Sequence, residues 1–195
     1  DPSQGPAAAT AWPAVVRAAQ SGEPGRIFRA ADYAPVDVNE LPVPRYDLLG
    51  DRPYNRFTVQ TSRGCPWRCD FCASNVMLGQ RYRKRPVEDV IRDIHAIQQL
   101  REHPFIEFAD DNTFVDKEWG KELCRQLAPL HLKWFTETDI SVAEDTELLD
   151  LMREAGCRQV LIGLESPRQS PLQGVEMKTN FKARRAASYA DAIHT

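Results

Sequence analysis

The chain has 195 residues, 42% hydrophobic and 27% charged, which excludes collagen-like, coiled-coil and mainly disordered architectures and suffices for one sizeable core. Its 25 basic and 28 acidic residues leave a net charge of -3, so the molecule as a whole offers no footprint for nucleic acid. No uncharged apolar run approaches the roughly 18 residues needed to span a bilayer, and the first residues lack the basic start and apolar stretch of a secretory leader.

Residues 1–56 hold 8 of the 14 prolines and an alanine-rich opening, in which only a short helix near Trp12 to Ala19 is expected. Leu41 to Pro53 reads as an extended linker, because each proline pushes its predecessor away from helix. This segment is expected to be an arm or connector. From Phe57 onward strands alternate with amphipathic helices. Phe57 to Ser62 (FTVQTS) predicts a strand, and Pro86 to Arg101 predicts a helix with Val87, Val90, Ile91, Ile94, Ile97 and Leu100 on one face. Phe105 to Asp110 predicts the second strand. Asp116 has the features of an N-cap for a helix that turns Trp119, Leu123 and Leu127 inward. Leu132 to Thr138 predicts the third strand, followed by a helix with Ser141 and Glu144 as a capping box and Gly156 as its stop. Val160 to Glu165 predicts the fourth strand, and a last helix runs from about Asn180.

Four strands alternating with helices imply an α/β fold with a parallel sheet and chemistry at the carboxyl ends of its strands. Asp110, Asp111, Asn112, Glu137, Thr138, Asp139 and Glu165 all fall where a strand finishes. The first connection, Ser62 to Pro86, is longer than a compact domain tolerates without a functional reason. It contains three of the five cysteines, Cys65, Cys69 and Cys72, in the spacing C-x-x-x-C-x-x-C. That grouping argues for a reducing compartment, taken here as the cytoplasm, and for metal ligation rather than a disulfide framework.

Three clustered thiolates favour zinc or an iron-sulfur cluster over hard cations. Structural zinc wants four ligands, and the histidines (His95, His103, His131, His194) have no finger spacing. A four-iron cubane held by three cysteines leaves one iron open to substrate. Two roles compete for the basic run Arg81 to Arg85: a solvated or acid-paired stretch, and a cationic surround for an anionic cluster or a phosphate. Cys124, on the inward helix face, and Cys157 are expected to be small buried hydrophobes. For Trp67 the residues alone do not decide between shielding a cluster and packing.

Thr61 to Cys72, TSRGCPWRCDFC, resembles the signature of the radical S-adenosylmethionine enzymes, directly after the first strand of a βα series as in that family. The resemblance spans Phe57 to about Pro167, and more weakly the arm. It implies a partial (βα) barrel of the TIM-like type, here ending after about four βα units. It also implies a 4Fe-4S cluster on Cys65, Cys69 and Cys72, whose open iron chelates S-adenosylmethionine for reductive cleavage to a 5'-deoxyadenosyl radical. Phe71 matches the family's aromatic position near the adenine. Asp110 or Asp111 stands where the family receives the methionyl amino group, although the usual glycine-glycine-glutamate form is absent. Glu137, Thr138 and Asp139 are the candidates on the third strand, and Glu165 matches the ribose position on the fourth. Helix capping is the competing role for Asp110, Asp139 and Glu165. Which residue acts on the substrate is not indicated.

An eight-unit barrel of about 250 residues averages roughly 31 per unit, so a six-unit barrel needs on the order of 190. Only 139 residues run from Phe57 to Thr195, so 57–195 is expected to be an incomplete barrel and 1–56 the end of an upstream domain. The junction PVPRYDLL followed by TSRGCPWRCDFC resembles radical enzymes that carry a cobalamin-binding domain, many of them methyltransferases or ring-forming enzymes; this implies cobalamin in a longer parent protein. The implied partners are a small-molecule or peptide substrate and a reductant such as flavodoxin or ferredoxin, with no membrane and no nucleic acid. Two other classes remain open: a zinc-binding or RNA-modifying module gripping phosphates with its basic loop, and a ferredoxin-like electron carrier, which needs a fourth cysteine ligand.

Overall fold

The computed structural model describes residues 8–194 apart from 24, 26, 30, 31, 35, 36 and 78–80. Four strands, β1 (Phe57–Val59), β4 (Phe105–Phe108), β5 (Lys133–Thr138) and β6 (Cys157–Ile162), form a parallel sheet in that order. Each step along the sheet is bridged by a helix: α3 (Val87–Gln98), α4 (Lys117–Leu127) and α5 (Thr146–Glu154). A two-stranded antiparallel ladder, β2 (Ser62–Arg63) with β3 (Arg83–Lys84), closes the base of the cysteine loop. That loop also carries the single-turn α2 (Ser74–Met77). In the arm the expected helix is α1 (Ala8–Gln20), and Tyr46 and Leu49 are the arm residues packed on the main core.

The two periods in the sequence meet in one core. Strand alternation sends Ile106, Phe108 and Trp134 to the helix-covered face, where they bury against Ile94 and Ile97 of α3, Leu123 and Leu127 of α4 and Leu148 of α5. Each such side chain contributes about 1.5–3 kcal/mol of burial. Cys124 belongs to this layer, fully buried as its helical position predicts. The opposite face carries Phe105, Glu107, Phe135 and Glu137, all half-buried. Arg56 lies over it, its guanidinium 5.4 Å from the Phe105 ring and 5.1 Å from the Phe135 ring. At the far end of the sheet β6 is largely exposed, with Val160 and Leu161 open to solvent.

Several local expectations are corrected. The first strand is shorter than Phe57 to Ser62, because the N–H groups of Thr61 and Ser62 turn away to the carboxylate of Asp110. The Ser141 and Glu144 capping box does not form. Asp139 instead caps the 3-10 turn Ile140–Glu144 through the Ser141 N–H, and Asp145 caps α5 through the Leu148 N–H. Aspartate competes well for such caps because its carboxylate meets the positive end of the helix. The last helix is broken into α6 (Phe181–Arg185), a 3-10 turn at Ala186–Ser188 and α7 (Tyr189–His194). The Ser188 hydroxyl bonds the Arg185 carbonyl at 2.9 Å, a local alternative to the helical ladder.

The basic run is largely paired rather than solvated. Arg85 is buried against Asp93 at 2.7 Å and also donates to the Gln60 carbonyl, while Lys84 pairs with Asp116. Gly156 ends α5 as expected, at φ 90°, and a Cβ there would sit 2.0 Å from the Leu132 carbonyl oxygen. Gly22, at φ 71° with open space around it, has the positive φ without the clash. Urea unfolding is expected to show Gly156→Ala destabilised by at least about 2 kcal/mol and Gly22→Ala by about 1 kcal/mol. Equal losses at the two positions would show that the Leu132 contact is not what requires glycine.

Candidate cluster and cofactor site

Beyond β1 the chain enters the cysteine loop through a buried network. Asp110 Oδ1 accepts from the Thr61 N–H (2.9 Å) and the Ser62 N–H (2.7 Å), and Oδ2 from the hydroxyls of Thr61 (2.5 Å) and Thr113 (3.0 Å). Burial holds this carboxyl above its usual range despite the four donors. Asp110 therefore ties the loop to the end of β4, and its carboxylate is turned away from the cavity beyond. Of the two alternatives that the sequence leaves open for the methionyl amino group, Asp110 and Asp111, it is Asp111 that lines the cavity.

That cavity opens at the carboxyl ends of β4, β5 and β6, and Cys65, Cys69 and Cys72 all line it. Phe71, Asp111, Glu137 and Glu165 line it as well. Topology explains the meeting: in a parallel sheet every strand delivers its carboxyl end to the same side, so residues as far apart in sequence as Cys65 and Glu165 converge. Asp111 is held from the loop by the Ser74 hydroxyl at 2.5 Å. Burial raises the Glu137 carboxyl, and the nearby Glu107 and Asp111 charges add to the effect. Asp139 takes three donors, from Trp67 Nε1 (2.9 Å), Asn112 Nδ2 (2.8 Å) and the Ser141 N–H (2.7 Å). Burial works to raise its carboxyl, but these donors outweigh it and the net shift is downward. Asp139 thus acts as a cap, one of the two roles open to it, and also fastens Trp67 to the wall. The Trp67 ring packs on Phe181 with centroids 4.4 Å apart, so it forms part of the cavity side.

Glu165 adopts a left-handed backbone at φ 63°, uncommon for a residue other than glycine. Its carboxylate folds back over Gly163, where an added Cβ would come within 2.6 Å of Oε1. Lys182 holds it there, with Nζ 3.0 Å from Glu165 Oε1 and 2.8 Å from the Gly163 carbonyl. The same ammonium lies 5.9 Å from the Phe71 ring centre. Lys182 is the one cation among the described residues that line the cavity, facing four carboxylates. It was missed in the sequence, since nothing in a basic stretch at the start of a helix distinguishes a buried lysine from a solvated one.

The three thiols are soft donors brought to one cavity, a donor set whose chemistry suits an iron-sulfur cluster, in which each thiolate meets a different iron. Burial pushes the Cys65 thiol up to about 12 and the Cys69 thiol up to about 11, the latter partly offset by Lys182, so ligation must displace protons from both. Neither remaining cysteine lines the cavity: Cys124 is in the core and Cys157 begins β6. The fourth thiolate that a ferredoxin-like carrier requires is therefore missing from the site.

The family model of the Radical SAM superfamily matches residues 59–195. The chain belongs to this superfamily. Among curated relatives, an uncharacterized methyltransferase of Synechocystis sp. is 33% identical over 187 residues, covering 93% of this chain and 34% of the relative. The hopanoid C-2 methylase of Rhodopseudomonas palustris is 26% identical over 152 residues, covering 75% of this chain and 29% of the relative. The chain thus spans about a third of the length of the curated relatives it matches. The fold is shared with OxsB, a cobalamin-dependent S-adenosylmethionine radical enzyme solved with aqua-cobalamin and S-adenosylmethionine bound (TM-score 0.62, 22% identity, 85% of this chain and 27% of that one). It is shared too with the radical S-adenosylmethionine methyltransferase TsrM of Kitasatospora setae, solved with cobalamin and a 4Fe-4S cluster bound (TM-score 0.58, 22% identity, 67% and 27%). The α/β fold with a parallel sheet, a partial barrel of the superfamily's type, agrees with the sequence reading. No helix among the described residues is long and apolar enough to cross a membrane.

Proposed function

We propose that Cys65, Cys69 and Cys72 hold a 4Fe-4S cluster and that the parent protein is a radical S-adenosylmethionine enzyme transferring methyl groups. The observation that carries this reading is the convergence of the three loop thiols with Asp111, Glu137 and Glu165 on one cavity. When bound, the cluster supplies the electron that cleaves S-adenosylmethionine to a 5'-deoxyadenosyl radical. The residues of this chain bind and orient. Asp111 and Glu137 offer carboxylates to an ammonium and a sulfonium, the charges S-adenosylmethionine carries besides its own carboxylate. Glu165, fixed by Lys182, meets ribose hydroxyls, and Phe71 lies against the adenine. The apolar side of the cavity, Trp67 and Phe181, keeps water from the reactive centre.

Methyl transfer and a cobalamin cofactor in the parent are supported by relatives named as a methyltransferase and a methylase and by two neighbours solved with cobalamin. Residues 1–56 are read as the connector to an upstream domain and 57–195 as part of the barrel. A reductant of the flavodoxin or ferredoxin class and a reducing, cytoplasmic setting suit an iron-sulfur enzyme with five free cysteines. Anaerobic reconstitution with iron and sulfide followed by titration with S-adenosylmethionine tests the reading. A brown protein with about four irons per chain, whose reduced-cluster EPR signal changes on adding S-adenosylmethionine, is expected. A colourless, zinc-loaded protein would overturn it.

A further inference from the structure

Glu176 is only 1% exposed, yet it lies in a connection after β6 that has little regular structure of its own. Its Oε1 accepts from the N–H groups of Arg68 (3.0 Å) and Lys178 (3.0 Å), and its Oε2 from the N–H (2.7 Å) and hydroxyl (2.8 Å) of Thr179. A buried carboxylate with four donors is a strong and geometrically restrictive junction. Here it joins two segments more than 100 residues apart in sequence.

The backbone repeats the connection. Cys69 pairs with Glu176 as an isolated antiparallel bridge, the Asp70 N–H donates to the Val175 carbonyl (3.0 Å) and the Met177 N–H to the Arg68 carbonyl (2.8 Å). Lys178 then reaches back with Nζ 2.7 Å from the Pro66 carbonyl. The stretch Pro66 to Asp70, between the first cysteine and the third, is thereby held from one side by a single short segment. A loop that must present three thiolates in fixed geometry gains from being ordered before the ligand arrives, because less conformational freedom is then lost on binding.

We infer that the segment from Gly174 to Asn180 is a latch on the cysteine loop, and that Glu176 is the positioning residue through which it sets how firmly the thiolates retain an iron-sulfur cluster. The inference rests on the cluster reading of Cys65, Cys69 and Cys72. It assigns Glu176 no contact with the cluster or substrate; the residue acts through the backbone of Arg68 and Cys69.

The test compares the unmodified chain with Glu176→Gln, Lys178→Ala and Gly156→Ala, each reconstituted anaerobically and then exposed to an iron chelator. Gln keeps the size of the side chain but turns one acceptor into a donor facing other donors. Glu176→Gln is expected to lose its visible chromophore about tenfold faster than the unmodified chain, and Lys178→Ala, at an exposed position that leaves the fold intact, about threefold faster. Gly156→Ala destabilises the fold far from the loop and is expected to lose iron at the unmodified rate while still folded. Hydrogen exchange at Asp70 and Met177 should quicken in the first two variants only. Should Glu176→Gln fail to fold, the Lys178→Ala rate decides. Unchanged rates in both latch variants, or an equal acceleration in Gly156→Ala, would overturn the latch. Failure of the unmodified chain to take up any cluster would overturn the proposed function itself.

Discussion

On the proposed cluster reading, substituting alanine for any one of Cys65, Cys69 or Cys72 is expected to lower iron from about four per chain to below about one and to abolish cleavage of S-adenosylmethionine by the parent protein. Two thiolates cannot hold a cubane against exchange with solvent, and no cysteine is in reserve. Cys124 is completely buried in the main core and Cys157 opens β6, so neither can move to the cavity without dismantling the sheet. Cys124→Ala and Cys157→Ala are the matched controls, each removing a thiol while leaving the loop whole. They are expected to keep the chromophore, Cys124→Ala with a stability loss of about 1 kcal/mol for the lost core sulfur. Iron and sulfide analysis beside the visible spectrum reads all five variants. Retention of a full cluster in any loop variant would remove that cysteine from the ligand set.

Asp110→Ala is expected to cost about 3 kcal/mol or more in urea unfolding and to impair cluster uptake as well. Two buried N–H groups, of Thr61 and Ser62, lose their acceptor, and an unsatisfied buried donor costs about 1–3 kcal/mol. Asp110→Asn is the instructive partner. Its Oδ1 keeps both N–H donors, and its amide nitrogen can donate to the hydroxyls of Thr61 and Thr113, which rotate to accept. The asparagine variant is therefore expected to stay within about 1 kcal/mol of the unmodified chain. The sign of its pH dependence follows from the direction of the shift. Burial raises the Asp110 carboxyl in the folded state, so its stabilising contribution is fully present below the unfolded value near ~3.9 and is lost as pH rises through the folded one. Asp110→Asn should thus gain on the unmodified protein as pH increases. A gap that moves the other way would mean that the four donors outweigh burial.

Much of this protein was legible from local sequence because local rules govern it. The helical stripe of Val90, Ile94 and Ile97, the alternation of Ile106 and Phe108, the Asp116 cap and the Gly156 stop each depend on neighbours within a few residues. The three cysteines likewise sit inside one loop, so their grouping on one cavity needed little knowledge of the fold. The capping box failed because two aspartates, Asp139 and Asp145, outcompeted Ser141 for the orphan N–H groups. The roles of the strand-end acids were harder. Asp110 and Asp111 are adjacent and chemically alike, yet one is turned to the loop backbone and the other to the cavity, a choice made by the pleat of β4 and by where Thr61 lies.

By itself the sequence determined the alternation of strands and helices, the parallel sheet and the grouping of three thiols, since hydrophobic period, caps and cysteine spacing are written along the chain. Only the tertiary structure decided which carboxylate faces the cavity, that Lys182 is buried there, and that Glu176 grips the cysteine loop. Those contacts join residues 17 to 108 positions apart, and no local pattern specifies such pairings; they follow from strands that end on the same side of one sheet.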